Sequence, residues 1–171
     1  VGSVLRQLAR ARRATSEEGR PKEPHRQFED RVWLLFHNLG FAGLSEGRDR
    51  RVGRGADSKK VDVVAQDEQT VFIVECKHST RPEPVNALGP LKEFVAHYEA
   101  IRGWVHDTLG KARVSFVVVV SSDLKRRADE QYQKEQADKN LFLWSARELA
   151  YLEDLVEQLR GLARYQLYSV L

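Results

Sequence analysis

The sequence has a single cysteine, no methionine and no apolar run long enough to cross a membrane. One cysteine excludes an internal disulfide and is typical of a reducing compartment, so we expect a cytoplasmic protein without a membrane anchor. No signal sequence opens the chain, and the missing first methionine indicates that Val1 is not a translation start. We therefore expect an excised domain.

The chain also has little net charge, only +3, but its basic residues are unevenly placed. Residues 1–27 hold seven Lys or Arg against three acidic residues. We expect 1–24 to be a basic arm and linker, most simply a solvated segment, and 25–171 to be one globular domain. A second basic cluster comprises Arg48, Arg50, Arg51, Arg54, Lys59 and Lys60. A solvated loop would have the same composition, but the position of this cluster before an apolar strand favours contact with nucleic acid.

Two neighbouring apolar runs contain charged residues that need an explanation. Residues 60–65 and 71–77 are rich in Val and Ile, and the polar stretch between them predicts two adjacent antiparallel strands. Asp62 lies within the first, whereas Glu75 and Lys77 share one face of the second because they are two positions apart. Two buried carboxylates close together are unfavourable unless a cation lies between them. A divalent metal would meet that requirement.

These residues resemble the active site of the PD-(D/E)xK nuclease superfamily, in which a strand Asp precedes Glu-x-Lys on the next strand. Phe28-Glu29-Asp30 opens an amphipathic helix, and this segment is similar to the Glu-bearing first helix of Mrr-type restriction endonucleases and archaeal Holliday-junction resolvases. The resemblance covers residues 25–125. Glu-x-Lys alone is common by chance, but its position on a buried strand behind Asp62 makes the match more specific.

The resemblance implies a metal-dependent endonuclease that hydrolyses DNA phosphodiester bonds with Mg²⁺ or Mn²⁺. Lys77 would orient or activate the attacking water, or contact the scissile phosphate. The predicted catalytic residues are Glu29, Asp62, Glu75 and Lys77. The predicted metal ligands are Asp62, Glu75, the backbone carbonyl of Cys76 and, directly or through water, Glu29.

Each of these residues also has a structural explanation. Asp62 could cap a loop, and Glu75 with Lys77 could form a surface ion pair worth ~0 to 1 kcal/mol. The joint pattern favours the catalytic interpretation, although the sequence does not decide whether Glu29 or Asp30 faces the site.

Three further side chains have alternative interpretations. The Cys76 side chain faces away from Glu75, so we expect a packed core thiol rather than a nucleophile. His78 and Lys92 are predicted nucleic-acid contacts, although a residue leaving a strand and a solvated helix face would explain them as well.

The order of elements predicts the fold. Helical spacing covers residues 25–39, glycines 43–55 form a loop or a twisted edge strand, and two motif strands follow. Pro90 opens a helix, 114–120 is a buried strand, a polar helix runs from 123 to 139, and strand 141–144 precedes a capping box and a final helix. This is an α/β fold with a restriction-endonuclease-like αβββαβ core, a mixed central sheet flanked by helices.

A narrower resemblance is to the amino-terminal region of bacterial DGQHR-domain proteins. It rests on residues 28–33, 39–41, 73–77 and 163–166. It implies a DNA-modification or defence system and a further carboxy-terminal domain. The alternatives are a nucleic-acid-binding module that does not cut and a scaffold that docks a modification enzyme. A homodimer would allow both strands of a duplex to be cut, and the form of the substrate stays open.

Overall fold

In the computed structural model, the described residues are 23–55, 58–80, 83–111, 113–123, 130, 132–133 and 139–158, with the backbone alone for 42–50. Within them, five strands and three long helices are α1 (Pro24–Asn38), β1 (Ala42–Val52), β2 (Lys59–Gln66), β3 (Thr70–Lys77), α2 (Leu88–Leu109), β4 (Arg113–Val120), β5 (Leu141–Trp144) and α3 (Ala146–Gln158). This order confirms the predicted αβββαβ core. No helix among the described residues is both long enough and apolar enough to cross a membrane.

The strands form one mixed sheet in the order β1-β2-β3-β4-β5. The pairs β1–β2 and β2–β3 are antiparallel, whereas β3–β4 and β4–β5 are parallel. The short turn between β2 and β3 is held by the Asp67 carboxylate, which accepts the backbone N–H groups of Gln69 (2.8 Å) and Thr70 (2.7 Å). The parallel neighbour β4 requires a crossover, which α2 supplies.

The glycine-containing stretch after α1 is an edge strand rather than a loop. Its pairing with β2 shifts register between Ala42 and Ser45 and again between Glu46 and Arg50. Irregular pairing is expected where glycines interrupt a strand at the border of a sheet. This strand pairs the backbone of Arg50 and Arg51, from the second basic cluster, with Val61 and Lys60 of β2.

Two hydrophobic cores lie on opposite faces of the sheet. Strand β4 contributes to both and is buried along seven of its eight residues. On one face, α1 and α3 pack through Phe28, Val32, Leu35, Phe36, Leu149 and Val156. On the other face, α2 packs through Leu91, Phe94, Ile101 and Val105. Each such side chain contributes roughly 1.5–3 kcal/mol when it is fully buried, so both helical layers hold the sheet firmly in place.

The helix ends agree with their sequence signals, with one adjustment. Pro24 occupies the first turn of α1, and Gly110, with φ of 64°, ends α2 in the left-handed conformation. Helix α2 begins at Leu88, two residues before the expected Pro90. Proline is tolerated there because the first helical turn has no use for its missing N–H.

The capping box before the last helix is confirmed. The Glu148 carboxylate accepts the Ser145 backbone N–H at 2.9 Å and also the Ser145 hydroxyl, and the Arg147 N–H donates to Ser145 Oγ at 3.2 Å. These bonds satisfy donors at the start of α3. The arm at 1–22, most of the predicted helix 123–139 and the segment 159–171 lie outside the described residues.

Candidate active site

The Asp62 side chain joins β2 to β3 just beyond the last regular backbone pair of the two strands. Their paired residues run from Gln66–Val71 to Val63–Val74. One residue further along β2, Asp62 Oδ2 accepts the backbone N–H of Cys76 at 2.7 Å. A carboxylate therefore takes the place of a backbone acceptor, and this bond brings Asp62 beside Glu75 and Lys77.

Glu75 and Lys77 lie on the same face of β3, as their spacing predicts. Glu75 is buried, with 8% of its surface exposed. Its Oε1 lies 2.8 Å from Lys77 Nζ, and Lys77 is half-buried. Cys76 points into the opposite core with Val74 and Val117. A buried carboxylate bonded to a partly accessible ammonium is thus presented at the end of β3.

Burial raises the pKa of the Asp62 carboxyl to about 6, and the negative charge of Glu75 adds to the rise. The bond from the Cys76 N–H lowers the pKa of Asp62, whereas the charge of Glu29 raises it. Glu29 thus lies near enough for its charge to act on this carboxyl. A cation bound between these carboxylates would therefore be stabilising.

Lys77 and Cys76, at the end of β3, differ in charge at neutral pH. Burial alone would lower the pKa of the Lys77 amine, but the hydrogen bond and charge of Glu75 outweigh that effect and raise it. Lys77 is therefore an ammonium at neutral pH. Burial raises the pKa of the Cys76 thiol well above its ordinary value, so this side chain stays neutral and fits the predicted core thiol.

Lys59, which the sequence assigns to a basic cluster in contact with nucleic acid, is buried. Only 9% of its surface is exposed. Its Nζ lies 2.6 Å from Glu93 Oε2 and 3.5 Å from Glu75 Oε2, and 5.2 Å from the ring centre of Phe94. Lys59 shares a face of β2 with Val61, which packs in the α2 core, so its side chain turns inward. This corrects the prediction that Lys59 is a surface contact for nucleic acid.

The sequence does not identify Glu93 as part of the site, because nothing in its own segment distinguishes it from a solvated helix residue. Its position just before Phe94, which faces the core, together with the inward alternation of Lys59 and Val61, would have been the available signal. The hydrogen bond from Lys59 lowers the pKa of the Glu93 carboxyl. The site therefore extends from the strand end onto helix α2.

The remaining basic candidates with described side chains are exposed. Arg51 donates to Ser58 Oγ at 3.2 Å, and Arg54 lies 3.3 Å from Asp107 Oδ2, while Lys60 and Lys92 are exposed. The side chains of Arg48 and Arg50 lie outside the described part of the structure. Exposed cations near β2 are compatible with contact to a phosphate backbone, and their role stays a prediction.

His78 follows the motif strand and borders a surface pocket. The pocket has a volume of about 340 Å³ and is lined by Pro24, His25, His78, Ser79 and Thr80. The His78 ring lies 5.8 Å from that of Phe28, and its Nδ1 is buried without a hydrogen-bond partner among the described residues. Part of this side chain is thus packed against α1, and its predicted contact with nucleic acid stays open.

The donors at the site suit a hard divalent cation, though not a site built from side chains alone. In the described part of the chain, no group of three or more His, Cys, Asp and Glu side chains is arranged to hold a metal ion. Asp62 and Glu75 supply carboxylate oxygens from adjacent strands, and burial followed by the charge of Glu75 raises the pKa of Asp62. Oxygen donors of this kind match Mg²⁺ and Mn²⁺, which complete their coordination with backbone carbonyls and water.

Comparison with solved structures supports the fold. A protein described as being of unknown function, AF1548, has 17% identity and a TM-score of 0.52, with 70% of this chain and 56% of that chain covered. Two others have TM-scores below 0.5. They are the restriction endonuclease MspJI in complex with a 27-mer oligonucleotide (15% identity, TM-score 0.44, 85% of this chain and 31% of that chain) and an XisH family protein from Nostoc punctiforme PCC 73102 (14%, 0.43, 71% and 93%).

The family comparison is more informative. A search of curated proteins finds no match. Residues 22–152, well over half of the chain, match the Mrr_cat model, described as a restriction endonuclease, and this span contains Glu29, Asp62, Glu75 and Lys77. The chain therefore belongs to the Mrr-type restriction endonuclease family of the PD-(D/E)xK superfamily.

Proposed function

We propose that this domain hydrolyses DNA phosphodiester bonds in a reaction that requires Mg²⁺ or Mn²⁺, with Asp62, Glu75 and Lys77 at its centre. The observation that carries the proposal is the convergence of these three side chains where the first half of β2 lies beside the end of β3. Lys77 bonds to a buried Glu75 at 2.8 Å, and the adjacent Asp62 has a pKa of about 6. Family membership supports the same assignment.

Asp62 and Glu75 would hold the metal with the backbone carbonyl of Cys76, and Glu29 would assist from α1. A bound divalent cation supplies Lewis-acid stabilisation of the phosphate and lowers the pKa of a nearby water. The hydrogen bond from the Cys76 N–H fixes one oxygen of Asp62, Oδ2, and the other oxygen would be the one to hold the metal. A metal-binding role would explain why the Asp62 carboxylate of β2, rather than a backbone carbonyl, accepts the Cys76 N–H.

Lys77 would interact with the scissile phosphate as a positive charge. Its amine is already charged, since the Glu75 carboxylate raises its pKa, and its side chain is 41% exposed. A protonated amine can stabilise negative charge that develops on phosphate oxygens and orient the attacking water, but cannot accept a proton. The charge of Lys77 therefore argues against a role as a general base and is consistent with orienting the water or contacting the phosphate.

DNA is the proposed substrate because the family is one of restriction endonucleases and because exposed basic residues flank β2. Arg51, Arg54, Lys60 and Lys92, with Arg48 and Arg50 from the sequence, are the proposed backbone contacts. Such contacts would make binding steeply dependent on salt. A role in a bacterial modification or defence system, a homodimer, a cytoplasmic location and a further carboxy-terminal domain remain predictions from the sequence.

One observation favours a second candidate, a nucleic-acid-binding module that does not cut. Glu75 is contacted by two lysines, and the described residues contain no group of three metal-binding side chains. A site whose charges are balanced internally would bind metal less readily. The two candidates differ in a single measurable property, because only the nuclease converts supercoiled plasmid to nicked or linear DNA.

The test is a plasmid cleavage assay in Mg²⁺, in Mn²⁺ and in EDTA, with Lys77→Met as the test variant. Lys111→Met is the matched control, because the Lys111 ammonium donates to the Glu68 carbonyl at the opposite end of β2. We expect cleavage by the parent only with metal, a loss of about 100-fold or more in Lys77→Met and unchanged cleavage in Lys111→Met. Parent-level cleavage by Lys77→Met would refute the role of Lys77, and DNA binding without cleavage in either metal would support the second candidate.

A further inference from the structure

The Glu75 carboxylate is held by two lysines, one on each oxygen. Lys77 Nζ lies 2.8 Å from Oε1, and Lys59 Nζ lies 3.5 Å from Oε2. Lys77 comes from the same strand as Glu75, whereas Lys59 comes from the start of β2. A single anion that is shared by two cations is an unusual arrangement inside a proposed metal site, since a metal ligand must leave at least one oxygen available.

The two lysines differ in how firmly they are held. The Lys59 side chain is 9% exposed, whereas that of Lys77 is 41% exposed. Lys59 also contacts Glu93 of α2 at 2.6 Å, and its ammonium lies 5.2 Å from the centre of the Phe94 ring. Because a buried ammonium is unfavourable without partners, these contacts fix Lys59 between the sheet and α2. Among the described residues, Lys77 forms its ion pair with Glu75.

We propose that Lys59 is a positioning residue for Glu75, and that it remains on Oε2 while Lys77 leaves Oε1 when that oxygen becomes a metal ligand. The inference rests on the proposed nuclease function. An ammonium and a divalent cation repel each other at one carboxylate oxygen, so the less restrained lysine is the one that moves. Lys59 then fixes the orientation of Glu75, and Lys77 becomes available to the phosphate.

Glu93 has a defined part in this arrangement. Its carboxylate lies 60% exposed on α2 and makes the shorter of the two ion pairs of Lys59. Glu93 thus contacts the Lys59 ammonium from the solvent side, and Glu75 contacts it from the side of the active site. Hydrogen-bonded partners behind a metal ligand generally alter metal affinity or activity by about 10- to 100-fold when they are removed.

If Lys59 instead contacted DNA directly, its loss would change the kinetics of cleavage in a different way. Loss of a phosphate contact raises the KM for DNA and reduces the salt dependence of binding, with little effect on kcat. Loss of a positioning residue lowers kcat and leaves the KM for DNA nearly unchanged. The two roles are therefore separated by the same kinetic experiment.

The first part of the test follows the two ammonium groups by NMR of ¹⁵N-labelled lysine side chains during titration of the whole chain with Mg²⁺. Lys59→Arg and Lys77→Arg variants assign the two signals. We expect the Lys77 signal to shift or lose its protection from exchange and the Lys59 signal to stay in place. A shift of the Lys59 signal with a stationary Lys77 signal would overturn the inference.

The second part compares cleavage kinetics at saturating Mg²⁺. Lys59→Met should lower kcat by about 10- to 100-fold with a KM for DNA within about threefold, while Lys59→Arg, which keeps the charge, should retain more of the kcat. The control Lys111→Met should match the parent. Unchanged kcat in a folded Lys59→Met protein would overturn the inference, as would a raised KM with unchanged kcat.

Glu93→Gln and the parent protein itself provide two further tests. If Lys59→Met fails to fold, Glu93→Gln decides the question, because its exposed side chain can change without opening the core, and we expect kcat to fall about tenfold. Parent-level kcat in Glu93→Gln would then overturn the inference. A parent protein that neither cuts nor responds to Mg²⁺ would overturn the proposed function as well, whereas a parent that cuts while the Lys59 and Glu93 variants match it would overturn this inference alone.

Discussion

Replacing Asp62 by Asn should stabilise the metal-free protein at neutral and alkaline pH. Burial and the charge of Glu75 raise the pKa of Asp62 from its ordinary 3.8 to about 6. The folded protein thus keeps this proton at a pH at which the unfolded chain has lost it. Because the folded state binds more protons, stability falls as the pH rises from about 4 to about 6, and the full penalty is present above that range.

The size of the effect follows from the same values. A rise in pKa from 3.8 to about 6 corresponds to at most about 3 kcal/mol in the free energy of unfolding. Asn removes the charge but keeps an oxygen that can accept the Cys76 N–H. We therefore expect Asp62→Asn to raise the free energy of unfolding by about 1–3 kcal/mol at pH 8, and by less than about 1 kcal/mol at pH 4.

Urea denaturation at both pH values, in EDTA, measures this difference. Asp67→Asn is the matched control, because Asp67 also accepts backbone N–H bonds but lies in the turn at the far end of β2. Excess Mg²⁺ should shrink or reverse the difference, since a ligand at 100 times its Kd stabilises the parent by about 2.7 kcal/mol and the variant has lost a ligand. Equal stability of parent and Asp62→Asn at pH 8, or a difference that persists undiminished at pH 4, would refute the reasoning.

Other predictions concern the framework that supports the site. Ser145→Ala removes the hydroxyl that accepts the Arg147 N–H and donates to Glu148, and should lower the free energy of unfolding by about 1 kcal/mol in urea denaturation. Phe36→Ala empties a fully buried position between α1 and the sheet and should lower it by about 3–5 kcal/mol, so retention of parental stability would contradict the core assignment. Arg31→Met breaks the two-bond contact with Glu153 and should change stability by less than about 1 kcal/mol, with a smaller effect in high salt.

Much of the fold is predictable because its signals are local. Alternation along a strand places Glu75 and Lys77 on one face, and helical spacing defines the buried side of α1. Ser145 and Glu148 mark the start of α3 from within four residues. The αβββαβ order therefore follows from the sequence, and the structure confirms it.

Features that depend on distant segments were not predictable in the same way. The glycine-containing stretch becomes the edge strand β1 only through its pairing with β2, so a loop was an equal alternative. Lys59 belongs to a basic cluster by composition, but its environment is set by α2, which begins 29 residues later. Its contact with Glu93 depends on how the helix packs over the sheet, and no local pattern contains that information.

The placement of Lys59 changes the interpretation of the basic residues around the site. Within the cluster that precedes Asp62, one lysine turns inward and neutralises carboxylates, while Arg51, Arg54 and Lys60 stay exposed. A count of positive charges along the sequence therefore overestimates the surface available to DNA. The same observation explains how a buried Glu75 can be tolerated before any metal binds.

The most direct test of the central claim is calorimetric titration of Mn²⁺ into the parent protein and into the Asp62→Ala, Glu75→Ala double variant. A thermal melt of each protein first establishes that both are folded. The account predicts metal binding by the parent that disappears in the double variant. Equal binding by both proteins, or no binding by the parent, would contradict the assignment of Asp62 and Glu75 as the ligands of a metal-dependent nuclease.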